Sequence, residues 1–117
     1  MSHAHDADMK KWGFETKAIH GSGGPDPQTG AVSQPIYQNS TFAFKSAEAG
    51  AGIFAGEEEG YVYTRIANPT VRALEKTVAL LEGGEEGIAF ASGMAATSAV
   101  ILAPCDAGQN LLLCEPV

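Results

Sequence analysis

Gly87-Ile88-Ala89-Phe90-Ala91-Ser92-Gly93-Met94-Ala95-Ala96 is the stretch on which the reading of this chain turns. Ile88, Ala89, Phe90 and Ala91 are apolar without alternation, which predicts a short strand covered on both faces. Ser92 is a good N-cap, and Gly93, lacking a Cβ, lets the backbone come close to a ligand. Met94 to Leu102 is mostly Ala, Val, Ile and Leu and predicts a helix. A helix N-terminus that follows a strand offers unpaired N–H groups and a positive dipole end, which suits a phosphate. An ordinary buried strand–helix turn has the same local pattern, so the stretch alone leaves both readings open.

Upstream, Asn68-Pro69 predicts a helix start, with Asn68 as N-cap and Pro69 at the first helical position. Val71, Leu74, Val78 and Leu81 form one apolar stripe, Arg72, Glu75 and Lys76 lie on other faces, and Gly83-Gly84 ends the helix. Downstream, Pro104 to Gly108 breaks the second helix and Asn110 to Cys114 predicts a second buried strand. Strand, helix, strand is the beginning of a parallel α/β sheet. Sheets of this class usually carry about five or more strands, so the chain is expected to be the N-terminal part of a longer protein.

Toward the N-terminus the pattern loosens. Tyr61 to Arg65 alternates and predicts a short extended piece, Glu57-Glu58-Glu59-Gly60 a solvated turn, and Ser46 to Phe54 a short helix capped by Ser46 with Glu48 in its first turn. Trp12 to Phe44 has no sustained helical or strand period. Gly21-Ser22-Gly23-Gly24 is shaped like a phosphate loop, but Pro25-Asp26-Pro27 follows it where a helix should. Ile36, Tyr37, Phe42 and Phe44 are apolar anchors in this irregular segment, which suits an arm packed over another body such as a second subunit. The organisation expected is therefore a mobile tail over 1–11, an arm over 12–60 that contacts a neighbouring subunit, and the start of an α/β domain over 61–117. His3, His5, Asp6 and Asp8 could bind a metal only weakly, and a disordered polar terminus is the better reading, so no metal site is expected.

The 117 residues are enough for one domain, and 44% apolar with 18% charged residues describes a globular chain. With 14 acidic and 7 basic residues the net charge is -7, which argues against a nucleic-acid partner. No apolar run approaches the roughly 20 residues of a membrane helix, and Met1 to Lys11 lacks a signal-peptide core. Cys105 and Cys114 are expected to be buried free thiols of a cytoplasmic protein.

Five motifs in order then carry a specific resemblance. They are Phe14-Glu15-Thr16-Lys17-Ala18-Ile19-His20-Gly21; Pro35-Ile36-Tyr37-Gln38 with Ser40-Thr41-Phe42; Tyr63-Thr64-Arg65 with Asn68-Pro69-Thr70; Leu81-Glu82-Gly83-Gly84-Glu85; and Ala91-Ser92-Gly93-Met94-Ala95-Ala96. From about Gly13 onward the chain resembles the N-terminal part of the Cys/Met-metabolism family of pyridoxal-phosphate enzymes. Ser33-Gln34 before Pro35 is a small departure, since relatives often have a second proline there. Phe54 to Gly60 most resembles the methionine γ-lyases. O-acetylhomoserine sulfhydrylases, which often carry Gln where this chain has Met94, and cystathionine γ-synthases or γ-lyases stay open.

The resemblance implies a fold of the aspartate aminotransferase type (fold type I), with pyridoxal 5'-phosphate as cofactor. It implies that Gly93 and Met94 give backbone N–H groups to the cofactor phosphate, and that Tyr63 and Arg65 reach the same phosphate from the neighbouring subunit. The substrate implied is a small sulfur amino acid or acyl-homoserine, and the assembly a dimer of dimers with shared active sites. The lysine that forms the Schiff base, the acid that pairs with the pyridinium nitrogen and the arginine for the substrate carboxylate would lie downstream of Val117. No catalytic residue is therefore assigned within these residues, and the chain by itself is expected to be inactive. A truncated homologue that only binds phosphate, or only pairs with full-length subunits, is the competing reading.

Overall fold

The structure, a computed structural model, describes residues 8–114. It divides into two compact units, one ending at Gly87 and one beginning at Ile88. From residue 14 onward the first carries α1 (Phe14–His20), α2 (Ala47–Ala55) and α3 (Pro69–Glu82). The second carries α4 (Gly93–Leu102).

The capping residues foreseen from sequence all act. Ser46 Oγ accepts from Ala49 N–H at the start of α2, the Asn68 side chain accepts from Thr70 N–H at the start of α3, and Ser92 Oγ accepts from Ala95 N–H at the start of α4. Each satisfies one of the donors that a helix N-terminus leaves unpaired. Gly83 closes α3 in the left-handed conformation, φ 71°, where a side chain would be strained. Phe44 lies over Gly50 and meets Phe54 edge-on, ring centroids 6.0 Å apart, which seats α2 on the arm.

Helix α1 falls inside a segment whose sequence shows no helical period. Its apolar residues Phe14 and Ile19 are exposed, so no stripe announces it. Glu15 in its first turn and Lys17 and His20 in its last suit the dipole, and the helix packs against α3, with Gly21 close to the Leu80 side chain. The α3 side that meets α1 includes Leu80, beside the buried Ala79, whereas Val71, Leu74 and Val78 of the predicted stripe are exposed.

The extended piece at Tyr61–Arg65 forms by pairing with the arm. Thr41 and Tyr63 make an antiparallel bridge, flanked by Phe42 N–H to the Val62 carbonyl at 3.1 Å and Thr64 N–H to the Ser40 carbonyl at 2.8 Å.

The two predicted buried strands require correction. Among the described residues neither Ile88–Ala91 nor Asn110–Cys114 joins a ladder. Ile88 and Phe90 are exposed, as are Leu111 to Leu113, with Leu112 at 92%. A strand exists through hydrogen bonds to its neighbours, and the apolar pattern supplies only the side chains. The cysteines are free as expected, but Cys105 is half-buried and Cys114 exposed, where both were expected to be buried.

Most of the tail expected over 1–11, including His3, His5 and Asp6, lies outside the described residues. Trp12 N–H reaches the Met9 carbonyl at 3.1 Å, and Met9 is buried. Asp8 pairs with Lys11 at 3.5 Å in solvent, and no cluster able to hold a metal occurs among the described residues. No helix among them is long and apolar enough to cross a membrane.

After Gly24 the chain makes a turn. Asp26 accepts from the Thr29 hydroxyl at 2.7 Å and the Thr29 N–H at 2.8 Å, while Gly30 N–H returns to the Asp26 carbonyl at 2.8 Å. The Thr29 hydroxyl, then its N–H, hold the Asp26 carboxyl below its ordinary value. A lowered pKa contributes stability that is present above the unfolded-state value and lost as pH falls through the folded-state one. Titration of the Asp26 carboxyl carbon by NMR is expected to show a midpoint below that of Thr29→Val, and the Thr29 amide shift should follow the same curve. Equal midpoints in the two proteins would disprove this.

Candidate functional site

The candidate residues fall into two groups, one in each unit. In the second unit Ser92 closes the end of α4 by accepting from Ala95 N–H, and its carbonyl takes Ala96 N–H. The Gly93 and Met94 N–H groups lie outside these capping bonds. A Cβ placed on Gly93 would meet no heavy atom within 4 Å, so the approach to this helix end is open. The arrangement can receive an anion through two backbone donors and the positive end of the helix.

In the first unit Tyr63 and Arg65 stand together, the Arg65 guanidinium carbon 5.1 Å from the centre of the Tyr63 ring. They line an open groove of about 450 Å³ with Tyr37, Gln38, Asn39, Ser40 and Thr64. The chain has two arginines, and their surroundings differ. Arg72 is bound by Glu86 at 2.7 Å and by Glu75 at 3.5 Å, and the Glu86 hydrogen bond raises its pKa further. Arg65 has no ion-pair partner among the described residues, which leaves its fork of donors for an external anion. Lys17, Lys45 and Lys76 do not line the groove.

Beneath the groove lies a feature that the sequence shows only in part. Asn68 is readable as an N-cap, but its side chain is 3% exposed and makes three hydrogen bonds. Oδ1 accepts from Thr70 N–H at 2.8 Å; Nδ2 donates to the Tyr37 carbonyl and to Thr64 Oγ1, each at 3.0 Å. Thr70 Oγ1 accepts from Tyr37 N–H at 2.9 Å and donates to the Pro35 carbonyl at 3.4 Å. Thr64 Oγ1 in turn donates to the Asn39 carbonyl. The Tyr37 partner of Asn68 and the Tyr37 and Pro35 partners of Thr70 lie 31 to 35 residues away, too far for a local pattern to disclose.

An arginine fork, a phenol and a helix N-terminus are each groups able to bind a phosphate ester. The family model for Cys/Met metabolism PLP-dependent enzymes matches residues 15–117. The chain belongs to that family.

Its relatives include an L-methionine γ-lyase of Pseudomonas deceptionensis, 47% identical over 89% of this chain and 26% of the relative. An O-acetyl-L-homoserine sulfhydrylase of Corynebacterium glutamicum is 47% identical over 92% of this chain and 24% of the relative. A crystal structure from Campylobacter jejuni, assigned as an O-acetylhomoserine (thiol)-lyase and holding a pyridoxyl-lysine phosphate, matches with TM-score 0.67. It is 42% identical, and the match covers 73% of this chain and 21% of that one. The fold is thus that of the family's pyridoxal-phosphate enzymes, as the motifs implied, and the chain spans about a quarter of the length of the curated relatives it matches.

Proposed function

We propose that this chain is the cofactor-phosphate-binding N-terminal portion of a pyridoxal-phosphate-dependent enzyme of sulfur amino-acid metabolism, acting by α,γ-elimination as a methionine γ-lyase does. The observation that carries the reading is the family match over residues 15–117, with the capped α4 terminus inside it. Bound pyridoxal phosphate would supply an electron sink for loss of the Cα proton and then of the γ-substituent.

The residues of this chain act on the phosphate. Gly93 and Met94 donate backbone N–H groups to it, and Ser92 holds the helix end in place for them. Arg65 offers two parallel donors and Tyr63 a phenolic one. The residues fit that group: every candidate is a donor, and Arg65 is free of internal ion pairs among the described residues.

The preference for elimination rests on Phe54 to Gly60, since a γ-lyase and a sulfhydrylase are equally identical to this chain. The alternative is γ-replacement on an acyl-homoserine, as in O-acetylhomoserine sulfhydrylase, or transsulfuration as in cystathionine γ-synthase and γ-lyase. The full-length protein given L-methionine without added thiol is expected to release a 2-oxo acid, ammonia and a thiol in equal amounts. Thioether formation from an acyl-homoserine plus a thiol, with no 2-oxo acid from methionine, would establish replacement instead.

Gly93→Val tests the phosphate cradle. A Cβ at Gly93 meets no atom, and valine is the better helix former, so apoprotein melting should not fall. Pyridoxal phosphate affinity should fall by about tenfold or more, because a branched side chain bars the phosphate from the N–H groups. Unchanged affinity would remove this turn from the site.

The assembly proposed is a cytoplasmic homotetramer built as a dimer of dimers, with residues 12–60 as an arm on the neighbour and residues 61–117 opening the cofactor domain. Tyr63 and Arg65 then serve the partner's phosphate. Arg65→Ala mixed with a variant lacking the cofactor-bearing lysine should regain up to about a quarter of wild-type activity, since half the dimers are mixed and each keeps one intact site. No recovery, with mixed dimers confirmed by mass, would refute the shared site.

A further inference from the structure

Asn68 is the one buried polar residue among those described. Its hydrogen bonds join the two walls of the groove that holds Tyr63 and Arg65. One wall, Tyr37 to Ser40, is held by Asn68 Nδ2 on the Tyr37 carbonyl and by Thr70 Oγ1 on the Tyr37 N–H. The other, Tyr63 to Arg65, is held by Asn68 Nδ2 on Thr64 Oγ1, and Thr64 sits between the two candidate phosphate ligands. Two further bonds between the walls involve Thr64 itself, its N–H to the Ser40 carbonyl and its hydroxyl to the Asn39 carbonyl. Both walls are irregular backbone joined by a single bridge with two backbone hydrogen bonds, so the side-chain bonds are the remaining ties that fix their spacing.

We propose that Asn68 and Thr70 are positioning residues for phosphate recognition: they clamp the arm segment Tyr37–Ser40 to Tyr63–Arg65 and so fix the direction in which Tyr63 and Arg65 present their donors. The inference rests on the reading of Tyr63 and Arg65 as ligands of the cofactor phosphate. Neither Asn68 nor Thr70 touches the groove; each acts through the backbone that carries it. Helix capping and clamping are separable, because Oδ1 of Asn68 caps α3 while Nδ2 bridges the walls.

The test uses full-length apoprotein and two probes, pyridoxal phosphate and pyridoxal, which differ by the phosphate alone. Asn68→Ser keeps a capping oxygen and deletes the bridging donor. Thr70→Val keeps the shape and deletes the hydroxyl, and Thr70→Ser restores it. Asn68→Ser and Thr70→Val are each expected to weaken pyridoxal phosphate binding by about tenfold, the worth of one well-placed hydrogen bond, with pyridoxal binding unchanged. Thr70→Ser should return the ratio of the two affinities to within about twofold of wild type.

A fall in melting temperature with the ratio unaltered would make both residues merely structural and overturn the proposal. So would a Thr70→Ser variant as impaired as Thr70→Val, or failure of both Asn68→Ser and Thr70→Val to fold. If only Asn68→Ser fails to fold, Thr70→Val reads the same clamp. Arg65→Ala serves as the control for the underlying reading. A reduced ratio there with normal ratios in the clamp variants removes the clamp alone. An unaltered ratio in Arg65→Ala removes the phosphate reading and the clamp with it.

Discussion

The first unit depends on one carboxamide. Asn68 sits where the irregular arm, the Tyr61–Arg65 piece and helix α3 meet, and its three hydrogen bonds, one at Oδ1 and two from Nδ2, each reach a different one of them. A buried amide is costly when unpaired, so the three partners are constrained to remain together. The Asn-Pro pair serves two ends at once: proline starts α3 where no N–H is needed, and asparagine caps it while reaching back into the arm.

Helix starts recur as the points at which this chain defines its geometry. Ser46, Asn68 and Ser92 adopt extended backbone and turn a side-chain oxygen onto the first turn of the helix that follows. Apolar packing contributes less among the described residues, where Met9 and Ala79 are the buried hydrophobics.

The two arginines differ in how their charge is engaged. Arg72 is engaged by Glu75 and Glu86 across the end of the first unit, and its guanidinium is committed there. Arg65 lies against the Tyr63 ring at the groove, paired with an aromatic face that orients it without neutralising it. In an acidic chain of net charge -7, an unneutralised guanidinium in a groove is the feature that favours an anionic ligand.

The sequence by itself determined where α2, α3 and α4 begin and where α3 ends, because capping is local: Ser46, Asn68-Pro69, Gly83 and Ser92 announce their roles within three or four residues. It also determined the family, through five motifs in order, and with it the candidates Tyr63, Arg65, Gly93 and Met94. Tertiary structure decided what local pattern cannot encode. Helix α1 forms without an apolar stripe because it packs on α3. Residues 88–91 and 110–114 have the side chains of buried strands, yet among the described residues they join no ladder, since a strand is defined by the strand it pairs with. The bonds from Asn68 and Thr70 to a segment some thirty residues upstream arise only when the chain folds back on itself. A cap is chosen by its nearest backbone donors, whereas a ladder or a clamp is chosen by whatever the fold brings alongside.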